Sequence, residues 1–343
     1  MAKLSFQCDY TTGAHPEILK KLIETNMTPL PGYGLDEYCI RAKEKIKSAC
    51  NAPDAQIYFL TGGTQTNSIV IAALLRDYQG VVSADTGHIG GHEAGAVEYT
   101  GHKIFPISQH LGKIDPKELL QYLTTYFQEE DPDHVVHPGL VYISHPTEWG
   151  TLYTKEELTE ISQICKQFSL PLFLDGARLG YGLMSNETDV TLNDIASLCD
   201  AFYIGGTKVG ALCGEAVVFN KEYAPKHFTT IIKQHGALLA KGRLIGIQFD
   251  TLFTNQLYFN ISRHAIEMAK KLKELLTIKG YSFAWDSPTN QQFVILTQNQ
   301  IDRLKEQVDF ERWSKWDDSR WVVRFATSWS TTEDDLEQLS KLL

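Results

Sequence analysis

Short apolar runs alternate with amphipathic stretches between residues 56 and 220. The runs are rich in β-branched and aromatic residues, which predicts strands at residues 56–61, 81–83, 140–144, 171–175, 201–205 and 216–220. The stretches between them have helical spacing, which predicts helices over residues 68–76, 116–127, 155–168 and 192–198. Strands that alternate with helices predict a mostly parallel sheet, whose ligands bind beyond the carboxyl ends of the strands.

A different pattern begins near residue 250. Residues 255–278 form one long amphipathic segment, and alternating runs follow it before a last helix with a capping region at residues 331–333. This pattern predicts a smaller C-terminal α+β domain of residues 250–343 after a large domain of residues 1–249. The predicted fold class is therefore α/β, with the mostly parallel sheet in the large domain.

The composition is that of a globular protein, with 343 residues of which 43% are hydrophobic and 22% are charged. The net charge of −10 argues against nucleic acid as a partner. No run approaches the roughly 18 apolar residues of a membrane span, so we expect no membrane partner. Six scattered cysteines without a CxxC pair, and a start without the apolar segment of a leader, predict a cytoplasmic protein.

A glycine- and threonine-rich turn at residues 61–67 follows the first predicted strand and opens an apolar helix. Glycines let backbone N–H groups approach an anion, and the amino end of a helix favours negative charge. Gly63 and Thr64 are therefore candidates for a phosphate site. A tight strand-to-helix turn with a threonine cap explains the motif equally well, and the sequence is neither a Walker A loop nor GxGxxG.

Two further strand ends carry candidate chemistry. Asp175 ends one apolar run, where it could bind a ligand, cap a helix or pair with Arg178. Lys208 follows the next run among small residues, where loss of solvent would lower its pKa and make it a nucleophile, although most loop lysines are simply solvated. An anion cradle, a carboxylate and a lysine are the three groups that pyridoxal 5'-phosphate (PLP) needs.

Several stretches resemble the threonine aldolases of the β-eliminating lyase family, which are PLP enzymes of fold type I. The resemblance covers nearly the whole chain and implies a large domain like that of aspartate aminotransferase. It also implies a homodimer or homotetramer with active sites at the interface and a small amino acid as substrate. The matching segments are residues 31–38, 62–67, 85–104, 175–183, 205–218 and 323–337.

The resemblance assigns roles around the cofactor. Lys208 would form the Schiff base with PLP, and Asp175 would hold the pyridinium proton. Arg178 would lie near the ring hydroxyl, while Gly63 and Thr64 would bind the phosphate.

Four more residues follow from the same resemblance. His88 would stack on the pyridine face, where an imidazole can also move protons near neutral pH, with Glu93 to orient it. Lys233 would contact the phosphate, a role that Lys241 or Arg243 could share, and Tyr33 would reach a neighbouring subunit's site. His88 and His92 have the spacing of a metal pair, but no third ligand is evident, so we predict no metal.

The substrate side departs from the family in two places. Arg324 matches the arginine that clamps the substrate carboxylate, and its apolar neighbours favour this role over that of a surface arginine. Cys8 stands where a serine would help to hold the same carboxylate. Glu148 stands where a second active-site histidine is expected, and a carboxylate there could act as the base on a β-hydroxyl group.

The sequence therefore predicts a PLP-dependent aldolase that cleaves L-threonine, L-allo-threonine or a related β-hydroxy-α-amino acid to glycine and an aldehyde. Lys208, His88 and Glu148 are its predicted catalytic residues. The alternatives are a β-eliminating lyase that releases pyruvate and ammonia, a transaminase, and a PLP-binding homologue without activity. A Rossmann dehydrogenase is disfavoured because no GxGxxG follows a strand.

Overall fold

The computed structural model describes residues 3–129 and 134–343, so residues 1–2 and 130–133 of the first predicted domain lie outside the described residues. Its helices are α1 Pro16–Thr25, α2 Glu37–Ala49, α3 Gly63–Leu74, α4 His88–Gly91, α5 Ala96–Tyr99, α6 Pro116–Phe127, α7 Lys155–Gln167, α8 Leu179–Leu183, α9 Leu192–Leu198, α10 Phe228–Gln234, α11 Arg243–Leu252, α12 Leu257–Ile278, α13 Gln298–Lys305 and α14 Glu333–Leu342. Its strands are β1 Leu4–Ser5, β2 Gln56–Leu60, β3 Gln79–Ala84, β4 Ile104–Ile107, β5 His137–Ser144, β6 Leu172–Asp175, β7 Ala201–Gly205, β8 Glu215–Phe219, β9 Ser282–Phe283, β10 Gln291–Thr297, β11 Val308–Asp309, β12 Glu311–Lys315 and β13 Arg320–Ala326.

A seven-stranded sheet in the order β2-β8-β7-β6-β5-β3-β4 forms the centre of the larger part. Strands β3 to β7 pair in parallel, and β8 runs antiparallel between β2 and β7. The inner strands are buried along their whole length, which is why their sequences are continuous apolar runs. The predicted α/β architecture with a mostly parallel sheet is confirmed.

Two large apolar clusters cover the faces of this sheet. Helices α6 and α7 bury the apolar faces that their spacing predicted, and a capping box at Thr154 and Glu157 begins α7. Helix α3 starts at Gly63 instead of residue 68, directly after Gly62, whose extended backbone marks the cap of the helix. The predicted start of that helix was therefore wrong by five residues.

The C-terminal part contains a four-stranded antiparallel sheet in the order β12-β13-β10-β9. A third apolar cluster joins this sheet to α12 and to Phe6. Strand β1 pairs with β11, which ties the amino-terminal segment to this part and carries Cys8 and Asp9 towards the centre of the molecule. The predicted division at residues 249 and 250 falls within α11 and stays a prediction.

Strand β4 was not predicted from the sequence. It is an edge strand, Ile104–Ile107, and it contains Pro106, which is tolerated at the edge of a sheet but weakens the pattern of a strand. No helix in the described part of the chain is long and apolar enough to cross a membrane.

Candidate active site

The loops after the parallel strands surround a cavity of about 380 Å³, within the size range of cofactor pockets. It lies at the carboxyl ends of the strands, as the topology predicts. The walls include the sequence-predicted residues Gly63, Thr64, His88, Glu148, Asp175, Arg178 and Lys208.

Asp175 ends β6 at the floor of the cavity and is 5% exposed. Its Oδ2 accepts hydrogen bonds from the hydroxyl of Tyr142 at 2.6 Å and from Asn67 Nδ2 at 3.0 Å, and its Oδ1 accepts one from the hydroxyl of Tyr203. Burial acts to raise the pKa of Asp175, but His88 and these three donors outweigh it and lower that pKa. The side chain is held as a buried carboxylate.

Lys208 follows β7, and its carbonyl oxygen accepts a hydrogen bond from the hydroxyl of Tyr181 at 2.5 Å. Its Nζ lies 5.9 Å from the centre of the Tyr10 ring and makes no hydrogen bond within residues 3–129 and 134–343. Burial, and then the positive charge of Arg178, lower the pKa of Lys208. A larger neutral fraction makes this amine more nucleophilic.

The amino end of α3 forms another wall of the cavity. Its cap, Gly62, supplies no side-chain hydrogen bond, and the first turn has no acidic residue, so its N–H groups suit an anion. The hydroxyl of Thr66 is buried and has no partner among the described residues. A Cβ on Gly63 would lie 3.2 Å from the Tyr203 hydroxyl, so a side chain there would narrow the cavity.

His88 is oriented by a carboxylate that the sequence also indicated. Glu93 Oε1 lies 2.8 Å from His88 Nδ1, so Nδ1 donates its proton to this carboxylate and the imidazole ring is held in a fixed orientation. The same Glu93 oxygen accepts a hydrogen bond from Asn67 Nδ2 at 2.8 Å. Asn67 therefore joins the His88–Glu93 pair to Asp175.

Glu148 lies in the loop after β5 and is 9% exposed. Its Oε1 accepts hydrogen bonds from the Ser144 hydroxyl at 2.6 Å and from the backbone N–H of His88 at 2.9 Å. Burial raises the pKa of Glu148, while the Ser144 hydroxyl opposes that rise. A carboxyl group with a raised pKa is a stronger base once it is ionised.

Arg178 pairs with Asp9 and not with Asp175, which corrects one alternative from the sequence. Its Nε donates to Asp9 Oδ2 at 2.6 Å and its Nη2 to Asp9 Oδ1 at 3.1 Å. Burial acts to raise the pKa of Asp9, but Arg178 and then Lys208 lower it to about 2. The pair links the amino-terminal segment to the cavity.

Arg324 lies in β13 and is 5% exposed, as its apolar neighbours predicted. It borders a second cavity of about 220 Å³ whose walls also include Lys208, Glu148 and Trp313. Its Nη2 donates to Cys8 Sγ at 3.2 Å and to the carboxylate of Glu311. The structure thus brings the two predicted substrate residues Arg324 and Cys8 together beside the larger cavity.

The structure does not bring Tyr33 and Lys233 to this cavity within one chain. Instead, Lys233 Nζ lies 4.8 Å from the centre of the Tyr33 ring, in a separate region of the surface. Arg243, which was considered for the same role, donates to the carbonyl oxygens of Thr25 and Thr28 at the end of α1.

Residues 5–315 match the family model described as beta-eliminating lyase. The chain belongs to this family. Threonine aldolase from Leishmania major has a solved structure that is 42% identical over 98% of each chain, with a TM-score of 0.95. A low specificity L-threonine aldolase of Pseudomonas aeruginosa is 26% identical over 98% of this chain and 96% of its own length. The predicted family and the prediction of a PLP-dependent lyase are confirmed.

The fold extends beyond the family. Aspartate aminotransferase of Thermus thermophilus is 14% identical over 100% of this chain and 92% of its own, with a TM-score of 0.71. This likeness shows the fold alone and confirms the predicted aminotransferase-like architecture. Both the beta-eliminating lyase family and this fold are PLP-dependent.

The cavity of this family member suits PLP in its chemistry. The buried carboxylate of Asp175 faces the cavity, the amine of Lys208 lacks a hydrogen-bond partner among the described residues, and the helix end at Gly63 suits a phosphate. No group of three or more metal-ligating side chains is present in the part of the chain that the structure describes.

Sequence reasoning missed the residues that support the predicted ones. Tyr142 and Tyr203 lie within apolar strand runs, and their hydroxyl groups in those runs were the available indication of a polar site. Asn67 is the last residue of the glycine- and threonine-rich motif, and its position in that motif was the available indication that it belongs to the site. Asp9 and Glu311 gave no such indication, since each meets its arginine only in the folded chain.

Proposed function

We propose that the protein is a PLP-dependent aldolase that cleaves L-threonine, L-allo-threonine or a related β-hydroxy-α-amino acid to glycine and an aldehyde. The observation that carries the proposal is the convergence of the Lys208 amine, the Asp175 carboxylate and the Glu148 carboxylate on one cavity. The similarity to threonine aldolases along nearly the whole chain supports the same reaction.

The residues that would hold PLP are those around the larger cavity. Lys208 would form the Schiff base, Asp175 would face the pyridine nitrogen, and Gly63 and Thr64 would bind the phosphate. His88 would lie against the ring, and Arg178 would lie near its hydroxyl group. When it is bound, PLP withdraws electrons from the substrate bond that breaks.

The protein's contribution is to orient the substrate and to move protons. Arg324 would hold the substrate carboxylate through its planar guanidinium group, with Cys8 beside it. This contact would fix the direction of the bond between Cα and Cβ. Glu148 would take the proton of the β-hydroxyl group through Oε2, which makes no hydrogen bond among the described residues. Loss of that proton drives release of the aldehyde.

The proposal is tested by product analysis with the PLP-loaded protein. L-threonine, L-allo-threonine and phenylserine are supplied in turn, and aldehyde and glycine are measured. Pyruvate and ammonia without aldehyde would favour the β-eliminating lyase, and amino transfer to an α-keto acid would favour a transaminase. No product from any of these substrates would contradict the proposal.

The Lys208→Ala variant is the control for the covalent role of this lysine. Borohydride reduction followed by peptide mass analysis should attach the cofactor to Lys208 in the parent protein and leave the variant unlabelled. Turnover by the variant at the rate of the parent would overturn the assignment of Lys208.

We also propose a homodimer or homotetramer in the cytoplasm. Ile23, Met27 and Leu35 expose apolar side chains, with 77%, 87% and 72% of each accessible. Large apolar side chains with this exposure favour contact with a second copy. A second copy would also supply Tyr33 and Lys233, which lie away from the cavity of their own chain. The six cysteines are free thiols, as is usual in a reducing compartment.

A further inference from the structure

The side of Arg324 that faces the smaller cavity already holds a carboxylate. Nη1 of Arg324 donates to Gln291 Oε1 at 2.8 Å, and Nη2 donates to the carboxylate of Glu311. Nη2 also contacts Cys8 Sγ at 3.2 Å and the Gln7 carbonyl oxygen at 3.3 Å. A substrate carboxylate would therefore meet a guanidinium group that is already paired.

The two partners of this pair differ in their access to water. The Arg324 side chain is 7% exposed, whereas that of Glu311 is 38% exposed. Glu311 lies directly opposite Arg324 in the pairing of β12 with β13, and β12 is an edge strand with an irregularity between Arg312 and Ser314. The Glu311 carboxylate can turn into solvent, but the Arg324 guanidinium cannot.

Glu311 also borders the space that a substrate would use. It lines the smaller cavity together with Lys208, Glu148 and Arg324. Two carboxylates thus approach this space from different elements, Glu148 from the loop after β5 and Glu311 from β12. Of the two, only Glu311 forms an ion pair with the proposed substrate clamp.

We propose that Glu311 is a resident competitor for Arg324, which occupies the place of the substrate carboxylate in the free enzyme and leaves it when an amino acid binds. Glu311 then sets the affinity for amino acids without taking part in the chemical step. This inference rests on the proposed role of Arg324 and goes beyond it, because it assigns the affinity to a residue on another strand.

The exchange has a physical reason. A buried guanidinium group without a partner is costly, so the free enzyme keeps Arg324 paired until another carboxylate replaces Glu311. The apparent affinity for a ligand equals the intrinsic affinity multiplied by the fraction of molecules whose site is free. Removal of the competing charge should therefore strengthen binding of carboxylate ligands, and it should do so only for them.

The test is the binding of glycine to the PLP-loaded protein, measured by calorimetry for the parent and for Glu311→Gln. We expect the dissociation constant to fall about threefold to tenfold in the variant, because an amide is a weaker partner for arginine than a carboxylate. Glu311→Asp should remain closer to the parent. Glu306→Gln removes an exposed carboxylate on the neighbouring loop and should leave the constant unchanged.

A second ligand separates competition from a general structural effect. 1-Amino-2-propanol has the amine and hydroxyl groups of threonine but lacks the carboxylate, so its affinity should be equal in the parent and in Glu311→Gln. Unchanged or weaker glycine binding in the variant would overturn the inference, as would an equal gain for the amino alcohol or no glycine binding by either protein. Glycine binding does not depend on which reaction is catalysed, so failure of the aldolase assay alone would leave this result standing.

Discussion

Glu148 accepts the backbone N–H of His88 at 2.9 Å and so joins the loops that follow two neighbouring parallel strands. Sixty residues separate the two partners in the chain. The contact fixes the carboxylate beside the imidazole that would face the cofactor. Glu148 Oε1 accepts the hydrogen bonds that hold the side chain in place. Oε2 makes no hydrogen bond among the described residues, so it is the oxygen that would accept the substrate proton.

Replacement of Glu148 by glutamine should remove the base and keep the structure. The amide oxygen can still accept from Ser144 and from the His88 N–H, so PLP binding should be retained. We expect kcat to fall about 100-fold, the lower range for loss of a general base. Steady-state kinetics of aldehyde release checks this, and a variant with full kcat would rule out Glu148 as the base.

Replacement of Ser144 by alanine should shift the pH dependence of the same reaction. The Ser144 hydroxyl stabilises the ionised form of Glu148, so its loss should raise the pKa of that carboxyl group further. Because the base must be ionised, the acid limb of the kcat profile should move to higher pH. A shift towards lower pH would contradict the role of Glu148.

The hydrogen bonds to Asp175 predict a strong effect of Asp175→Asn. Tyr142, Tyr203 and Asn67 all donate to this side chain, and an amide offers them only one acceptor oxygen. The variant also lacks the negative charge for the pyridine nitrogen. We expect kcat to fall at least about 100-fold, with weaker retention of PLP on dialysis. Retention of PLP and kcat at the parent's values would argue that Asp175 is only structural.

The Asp9–Arg178 pair should make stability depend on pH in the acid range. The pKa of Asp9 is lowered from 3.8 to about 2, so its contribution is present above about pH 4 and is lost as the pH falls through about 2. Asp9→Asn leaves Arg178 without a charged partner and should cost about 3 kcal/mol at pH 7. Urea unfolding should show this difference shrinking below about pH 4. A difference that is constant with pH would contradict the ion pair.

Much of the fold could be predicted because local pattern and final structure agree. Helix α9, Leu192–Leu198, lies where its spacing predicted, and Asp175 and Lys208 follow apolar strands whose burial the sequence made plain. Such strands end at the same edge of a parallel sheet, so the floor of the cavity could be predicted from order alone.

The remaining parts of the site depend on contacts between distant residues. Asp9 and Arg178 are 169 positions apart, and they meet because the amino-terminal segment is tied to the C-terminal part by the pairing of β1 with β11 and by the hydrogen bond from the Ala326 N–H to the Phe6 carbonyl oxygen. The pairing of β12 with β13 brings Glu311 to Arg324 in the same way. No pattern within one segment contains this information.

The exposed apolar side chain of Ile23 in α1 predicts a loss of assembly in Ile23→Asp. The substituted charge would have to be buried against a second copy, which is costly, so the variant should have the mass of a monomer in light scattering. Its affinity for PLP should fall as well, because Lys233 of the second copy would be lost. Ile278→Asp is the matched control, since Ile278 is also exposed, at 83%, but lies at the end of α12. Equal masses for the parent and Ile23→Asp would contradict the proposed interface.

Glu215 should make the protein lose stability as the pH rises from the acid range towards about 8. It begins β8 beneath Lys208, is 3% exposed, and its Oε2 accepts the Gly206 N–H at 3.0 Å. Burial raises the pKa of Glu215 from 4.5 to about 8. The folded protein therefore keeps a proton that the unfolded chain has lost, and stability should fall as the pH rises from about 4.5 to about 8.

Replacement of Glu215 by glutamine should abolish this pH dependence, because a neutral amide has no proton to lose. At pH 5 the variant should match the parent, and at pH 8 it should be more stable by at least about 1 kcal/mol. Thermal unfolding of both proteins with PLP across this range measures the difference. Glu222→Gln removes an exposed carboxylate and should change stability little at either pH. A gain for Glu215→Gln that is equal at pH 5 and pH 8 would show that Glu215 is already ionised in the folded protein.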